Sequence, residues 1–299
     1  MDLPMKAHSQ VICFGEVLWD ILPDGPQPGG APLNVAYHLN KLGVSAGIIS
    51  RIGEDEKGML LLQLMDKWEI NHRLLQLDKT YPTGEVQASL SNGNEVSYQI
   101  VFPSAWDFIT AEKAAMEQVA TSDYFIYGSL ASRNETTLRS LQSFLELEVF
   151  RVLDINLRYP FVKRAVLQDL ITKADMVKLN EAELDVVQTV FGGNYGTEQD
   201  KVQFIQDRFG IAEVLITKGE SGAAYYKDCE RYYHYGSAVK VKDTIGSGDS
   251  FLAAFIAGHA QGRPPHEILK NAIAMGAFIA TQKGACPEYQ LDEYLRFNA

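Results

Sequence analysis

Short apolar runs alternate with longer amphipathic ones along most of the 299 residues. Residues 11–14 are strand-length and apolar and end at Gly15; the run 17–22 follows, before a Pro/Gly-rich turn from Pro23 to Gly30. Pro32 stands where a helix can start, and Val35, Ala36, Leu39 and Leu42 recur at helical spacing until Gly43. Beyond it the pattern predicts strands at 44–50, 123–127, 151–155, 176–179 and 213–217. Helices are predicted at 57–67, 135–145, 161–173, 181–191, 199–209, 250–261 and 267–282. Such alternation predicts an α/β fold, a doubly wound and mainly parallel sheet with helices on both faces.

One region departs from the alternation. Residues 83–90 and 95–101 read as two strands joined by Ser91-Asn92-Gly93-Asn94, and Asn-Gly is a strong hairpin signal. With 17–22, the hairpin would make a small antiparallel sheet beside the main one. It reads either as a lid over a site at the sheet edge or as an ordinary excursion. Without repeats or a linker, the chain is expected to be one domain, 1–299, with this small β-sheet formed from about 17–22 and 83–102.

Charge and cysteine usage narrow the class. Lys and Arg total 27 against 38 Asp and Glu, a net charge of −11. Such a surface repels polyanions, and no basic run is available to track a nucleic-acid backbone, so no nucleic-acid partner is expected. The longest apolar runs fall short of a membrane span, and the opening MDLPMKAHSQ lacks an apolar signal core, so a cytoplasmic location without membrane contact is expected. Cys13, Cys229 and Cys286 are odd in number and far apart, which points to three buried thiols and not to disulfides or zinc.

The segment with most chemistry is Asp243-Thr244-Ile245-Gly246-Ser247-Gly248-Asp249, running directly into an apolar helix. Two glycines around a small serine let successive N–H groups converge on an anion, with a helix N-terminus behind them. A carboxylate there, Asp249, suits removal of a proton from an attacking hydroxyl. The same residues also satisfy a plain turn and helix cap. They match neither the P-loop nor the dinucleotide fingerprint. The start of the chain lacks that fingerprint too, which disfavours a nicotinamide enzyme.

Together with Gly29-Gly30-Ala31-Pro32-Leu33-Asn34-Val35-Ala36 and the upstream Gly15-Glu16-Val17-Leu18-Trp19-Asp20, this segment resembles the two signatures of the ribokinase (PfkB) family of sugar kinases. The resemblance covers nearly the whole chain, with both signatures in the expected order. With Asp154-Ile155-Asn156-Leu157-Arg158, it is most similar to bacterial fructokinases within the family.

The resemblance implies ATP-dependent phosphorylation of a primary hydroxyl, most simply D-fructose to fructose 6-phosphate. The rival substrate is 2-keto-3-deoxygluconate, and the rival class is a non-catalytic sugar-binding regulator. Asp249 would be the base and Gly246, Ser247 and Gly248 the anion hole, with Ser247 where the family usually has Ala. Asp20, Gly29, Gly30 and Asn34 would meet the sugar, with Phe102 and Trp106 as candidate pocket walls. Arg158 would meet sugar or phosphoryl, or else pair with Asp154. Asn180 and Glu183 match the family's N-x-x-E motif and would hold Mg²⁺ through water. Thr217, Lys218, Gly219, Asp243 and Thr244 would lie along the nucleotide, although Lys218, where the family more often has Leu, reads slightly better as facing solvent. K⁺ would be bound by backbone carbonyls near Asp243, Ala280 and Gly284, which leave no side-chain signature. A hairpin lid has open edges, so a homodimer through the lid is expected.

Overall fold

Apolar four- to six-residue runs become strands because each is short, β-branched or aromatic, and bounded by Gly, Asp or Asn. The computed structural model describes residues 10–22, 25–91, 95–193, 196–236 and 238–298. Its strands are β1 (Gln10–Phe14), β2 (Leu18–Leu22), β3 (Gly25–Gly29), β4 (Ser45–Ile49), β5 (Arg51–Gly53), β6 (Gln76–Asp78) and β7 (Gly84–Ser91). Then come β8 (Glu95–Ile100), β9 (Tyr124–Gly128), β10 (Phe150–Asp154), β11 (Met176–Asn180), β12 (Glu213–Thr217), β13 (Ala223–Lys227) and β14 (Glu230–His234). The helices are α1 (Ala31–Lys41), α2 (Glu56–Lys67), α3 (Lys113–Ala120), α4 (Glu135–Leu145) and α5 (Arg164–Thr172). They continue with α6 (Glu181–Phe191), α7 (Glu198–Phe209), α8 (Ser247–Ala260), α9 (Pro265–Ala280) and α10 (Leu291–Asn298).

Eight strands form the main sheet in the order β14-β13-β12-β11-β10-β9-β1-β4. From β4 to β12 every neighbour is parallel, and β13 and β14 add an antiparallel edge. Alternate residues of β1 face opposite cores. Val11 and Cys13 pack with α1, α8 and α9, whereas Ile12 and Phe14 pack with the helices of the other face. Burial on both faces is why β1 reads as an unbroken apolar run. Strand order reverses beside β1, between β4 on one side and β9 on the other. At such a switch point the loops after neighbouring strands part and leave a crevice at their carboxyl ends.

The second sheet is small, four strands in the order β3-β2-β7-β8. It contains both hairpin strands and the 18–22 strand, as expected, although β2 and β7 pair in parallel. Residues 92–94 of the expected Asn-Gly turn lie outside the described residues. The stretch expected as a turn, 23–30, instead carries β3, which pairs antiparallel with β2. Pro26 and Pro28 are tolerated there because β3 is an edge strand and needs only some of its N–H groups for the ladder. Helix α8 begins at Ser247, a turn earlier than its apolar pattern indicates, and is buried from Ser250 to Gly258 between its neighbours. The pair β5–β6, helices α3 and α10, and the β13–β14 hairpin have no counterpart in the predicted elements. Among the described residues no helix is long and apolar enough to cross a membrane.

Candidate active site

A cavity of about 930 Å³ opens at the carboxyl ends of β1, β9, β10, β11 and β12, with the small sheet as one wall. Its floor is the start of α8. Gly246 adopts φ +75°, and a Cβ there would lie 2.6 Å from the Cα of Ala285, so only glycine fits. Ser247, Gly248 and Asp249 form the first turn of α8; the Ser247 N–H reaches the Thr244 carbonyl at 3.3 Å, and the N–H groups after it have no carbonyl one turn back to receive them. Ser247 Oγ donates to the Gly276 carbonyl of α9 at 3.0 Å. The hydroxyl is thus turned into the helix pair and leaves the backbone N–H arrangement unchanged, so serine is accommodated where alanine is usual. Gly248 is exposed to the cavity.

Asp249 stands at the inner end of this turn. Its Oδ2 accepts from Asn34 Nδ2 at 2.8 Å, and Asn34 Oδ1 in turn accepts from Cys286 Sγ at 3.3 Å. Burial, and then the charge of Asp154, push the Asp249 carboxyl up to about 6; the Asn34 hydrogen bond, Lys178 and Arg158 pull the other way. Asn34 reaches this point because Pro32 begins α1 just upstream and its N–H bonds the Gly30 carbonyl. One turn later His38, buried and depressed to about 4, fixes the Ala285 carbonyl with Nε2 and meets the Tyr289 hydroxyl with Nδ1. Helix α1 therefore sets both Asn34 and the segment packed behind Gly246.

Across the cavity, burial and the Asp249 charge raise Asp20 to about 6. The adjacent glycines each admit a close neighbour. A Cβ on Gly29 would lie 2.2 Å from Asp20 Oδ2, and one on Gly30, at φ +106°, would lie 2.3 Å from the Glu16 carbonyl oxygen. Gly29 makes room for the carboxylate, and Gly30 for the close pass of the β1–β2 loop; of the two, only Gly30 lines the cavity. Phe102 lines it as well, 54% exposed, with the Arg133 guanidinium 5.1 Å from its ring. Trp106 does not. It is fully buried beneath Gly84, with the same guanidinium 3.7 Å from its ring.

Arg158 lines the cavity and donates to the Leu157 carbonyl at 3.0 Å. The alternative pairing with Asp154 does not form; Lys178 on the neighbouring strand takes Asp154 Oδ2 at 2.7 Å. Asn180 and Glu183 both line the cavity and close a capping box at the start of α6. Glu183 Oε2 accepts the Asn180 N–H at 2.9 Å and Oε1 the Leu157 N–H at 2.8 Å, which ties the loop after β10 to the loop after β11. Burial and the Asp154 charge raise the Glu183 carboxyl.

Thr217 and Thr244 line the same cavity, whereas Lys218, Gly219 and Asp243 stand outside it. Lys218 neither faces solvent nor enters the site: its ammonium pairs with Glu198 and lies 5.2 Å from the Tyr233 ring. A carboxylate at the start of the preceding helix, α7, captures the amine, which single-strand patterning cannot reveal. Asp243 holds a loop together, accepting from the Ile245 and Gly284 N–H groups at 3.0 Å each, while its own N–H and that of Lys242 reach the Ala280 carbonyl. Those are the three segments expected to meet there.

Two charged cavity residues had no role assigned from sequence. Glu16, 3% exposed, is pushed up to about 7 by burial, despite the Glu16 and Ala31 N–H groups, and its Oε2 has no partner. Lys178 is a charged residue inside an apolar strand, Met176-Val177-Lys178-Leu179, and that interruption was the available signal. Of the cysteines, Cys13 is buried and Cys286 half-buried, but Cys229 is exposed on the β13–β14 turn. A two-residue hairpin loop projects its side chains outward, which overrides the usual burial of a thiol. Among the described residues, no group of three or more His, Cys, Asp or Glu side chains could hold a metal ion.

A switch-point crevice that joins a helix N-terminus to raised carboxylates fits a phosphotransfer-type site. The model for the pfkB family carbohydrate kinases matches residues 25–290, and the chain belongs to that family. It is 26% identical over 306 residues to fructokinase-2 of Oryza sativa subsp. japonica, covering 93% of this chain and 90% of the relative. The crystal structure of fructokinase from Vibrio cholerae O395, in its fructose, ADP and calcium-bound form, superposes with a TM-score of 0.83 at 25% identity, covering 97% of this chain and 99% of that one. Fructokinase from Xylella fastidiosa, with bound ATP, has the same fold, with a TM-score of 0.84 at 21% identity and coverage of 96% and 97%.

Proposed function

We propose that this sugar kinase transfers the γ-phosphoryl of ATP to the 6-hydroxyl of D-fructose. The observation that carries the reading is the place of Asp249. It sits on the first turn of α8, hydrogen-bonded to Asn34, between the N–H groups at the start of that helix and the wall built by Asp20 and Gly30. A phosphate on those N–H groups and a sugar against Asp20 would both border the Asp249 carboxylate. The V. cholerae relative crystallised with fructose and ADP supports this pairing of ligands.

In this account Asp20 accepts hydroxyl hydrogens from the sugar, Asn34 orients the Asp249 carboxylate, and Phe102 covers the apolar side of the ring. The 6-hydroxyl oxygen attacks phosphorus in line, the bond to the β–γ bridging oxygen breaks to leave ADP, and the proton passes to Asp249. The first turn of α8 stabilises the charge that develops, since such transfers rely chiefly on positioning and electrostatics. Magnesium, when bound, supplies neutralisation of phosphate charge. Asn180 and Glu183 fit it through water, because both face the cavity and the carboxylate keeps lone pairs beyond its two N–H partners. K⁺ fits the loop that Asp243 closes between Ala280 and Gly284. The small sheet acts as a lid that excludes water, and a homodimer through it would cover its edges.

Arg158, with no ion-pair partner among the described residues, keeps one rival alive, a sugar acid such as 2-keto-3-deoxygluconate. The test is coupled ADP release with Mg²⁺, K⁺ and fructose, glucose, ribose, 2-keto-3-deoxygluconate or adenosine. Fast turnover on fructose alone is expected. Preference for the acid moves the substrate contact to Arg158 and overturns the fructose assignment. Silence on every substrate with folded protein favours a sugar-binding regulator.

A further inference from the structure

Resting on the kinase reading above, we propose that Lys178 is a direct contact of the transferring phosphoryl group, held ready by Asp154. Its setting argues against a purely structural role. The flanking residues of β11, Met176, Val177 and Leu179, are fully buried, and Lys178 has only 8% of its side chain exposed. A lysine at such a position carries a desolvation penalty that an apolar residue would avoid.

Asp154 is its register partner across the β10–β11 ladder, and its Oδ2 accepts from Lys178 Nζ at 2.7 Å. The pair is not closed on itself, however. Asp154 Oδ1 is buried without a partner, whereas a pair that stabilises the fold satisfies its remaining lone pairs. The ammonium also keeps donors beyond the one given to Asp154.

Those donors border the anion pocket. Lys178 Nζ lies 3.7 Å from the point where a Cβ on Gly248 would stand. Gly248 opens to the cavity on the first turn of α8, so an anion on these N–H groups would have the ammonium at its side. Besides the carboxylate of Asp154, those of Asp249 and Glu183 surround Lys178. A compact point charge suits a phosphoryl oxygen whose position shifts as the bond to ADP breaks. Asp154 is a positioning residue here: it aims the amine and does not touch the substrate.

Calorimetry of ADP and of a non-hydrolysable ATP analogue, both as Mg²⁺ complexes, separates the alternatives, because only the analogue carries a γ-phosphoryl. For Lys178→Met, ADP affinity is expected to hold within about twofold, analogue affinity to fall about tenfold, and kcat to fall about 100-fold. Removing one member of a buried pair can unfold a protein, so the neutral pair Lys178→Met with Asp154→Leu is made alongside and its melting checked. Folded double variant with the same selective loss supports the assignment. Parallel weakening of ADP and analogue overturns it, as does near-wild-type kcat in the double variant. Wild-type protein that binds neither nucleotide would instead remove the kinase reading, and this inference with it.

Discussion

Asp249→Asn should make the ligand-free protein more stable, by an amount that grows with pH. The carboxyl moves from its ordinary 3.8 to about 6 because burial and Asp154 disfavour its charge. An acid whose folded-state pKa is raised favours the folded state when protonated; that contribution is complete below 3.8 and is lost as pH rises through about 6. The shift makes ionised Asp249 cost about 1–2 kcal/mol at pH 5 and about 3 kcal/mol at pH 8. An asparagine avoids this cost, and its side-chain oxygen still accepts from Asn34 Nδ2. Urea unfolding at several pH values, followed by the fluorescence of Trp19, Trp68 and Trp106, measures the gap between variant and wild type. A gap that opens toward pH 8 is expected. A constant gap, or a variant less stable than wild type at pH 8, would refute the claim that the site holds this charge under strain.

Further consequences follow from the same geometry. Since protonated Asp249 cannot accept the hydroxyl proton, kcat/KM should fall as pH drops below about 6, with Asp20 titrating in the same range; a profile flat to pH 5 would exclude both carboxylates. Gly246→Ala places a Cβ against the Ala285 backbone at φ +75° and should weaken ATP binding about tenfold by displacing the first turn of α8, and unchanged affinity by calorimetry would show that this turn does not hold phosphate. Arg133→Met strands the Asp107 carboxylate, which is fully buried and gripped by two guanidinium nitrogens. The loss in urea unfolding should be about 3–5 kcal/mol, and a loss below about 1 kcal/mol would mean that Asp107 finds another partner.

The parallel sheet was legible because its strands are buried on both faces and its helices carry single apolar stripes, as with β12 and α6, whose observed limits match those predicted. Edges were harder. Tyr225, Tyr226, Tyr232 and Tyr233 have strand character, but the turn between their strands is Asp228-Cys229, both at positive φ, where Asn-Gly is the usual signal. β3 was hidden by its prolines. Within the site, Asp20, Asn34, Asn180, Glu183 and Asp249 could be named from motifs and do share the cavity. Lys178, Glu16 and the capture of Lys218 by Glu198 depend on neighbours distant in sequence. Those contacts exist only after the strands align, so no local pattern carries them.

In the proposed reaction Asp249, at the start of α8, removes the proton from the sugar hydroxyl. The most direct measurement is fructose-dependent ADP release by wild type and Asp249→Asn, with ATP affinity determined on the same samples. A fall in kcat of about 100-fold or more is expected in the variant, with ATP binding nearly intact. Near-wild-type turnover in the variant would contradict it.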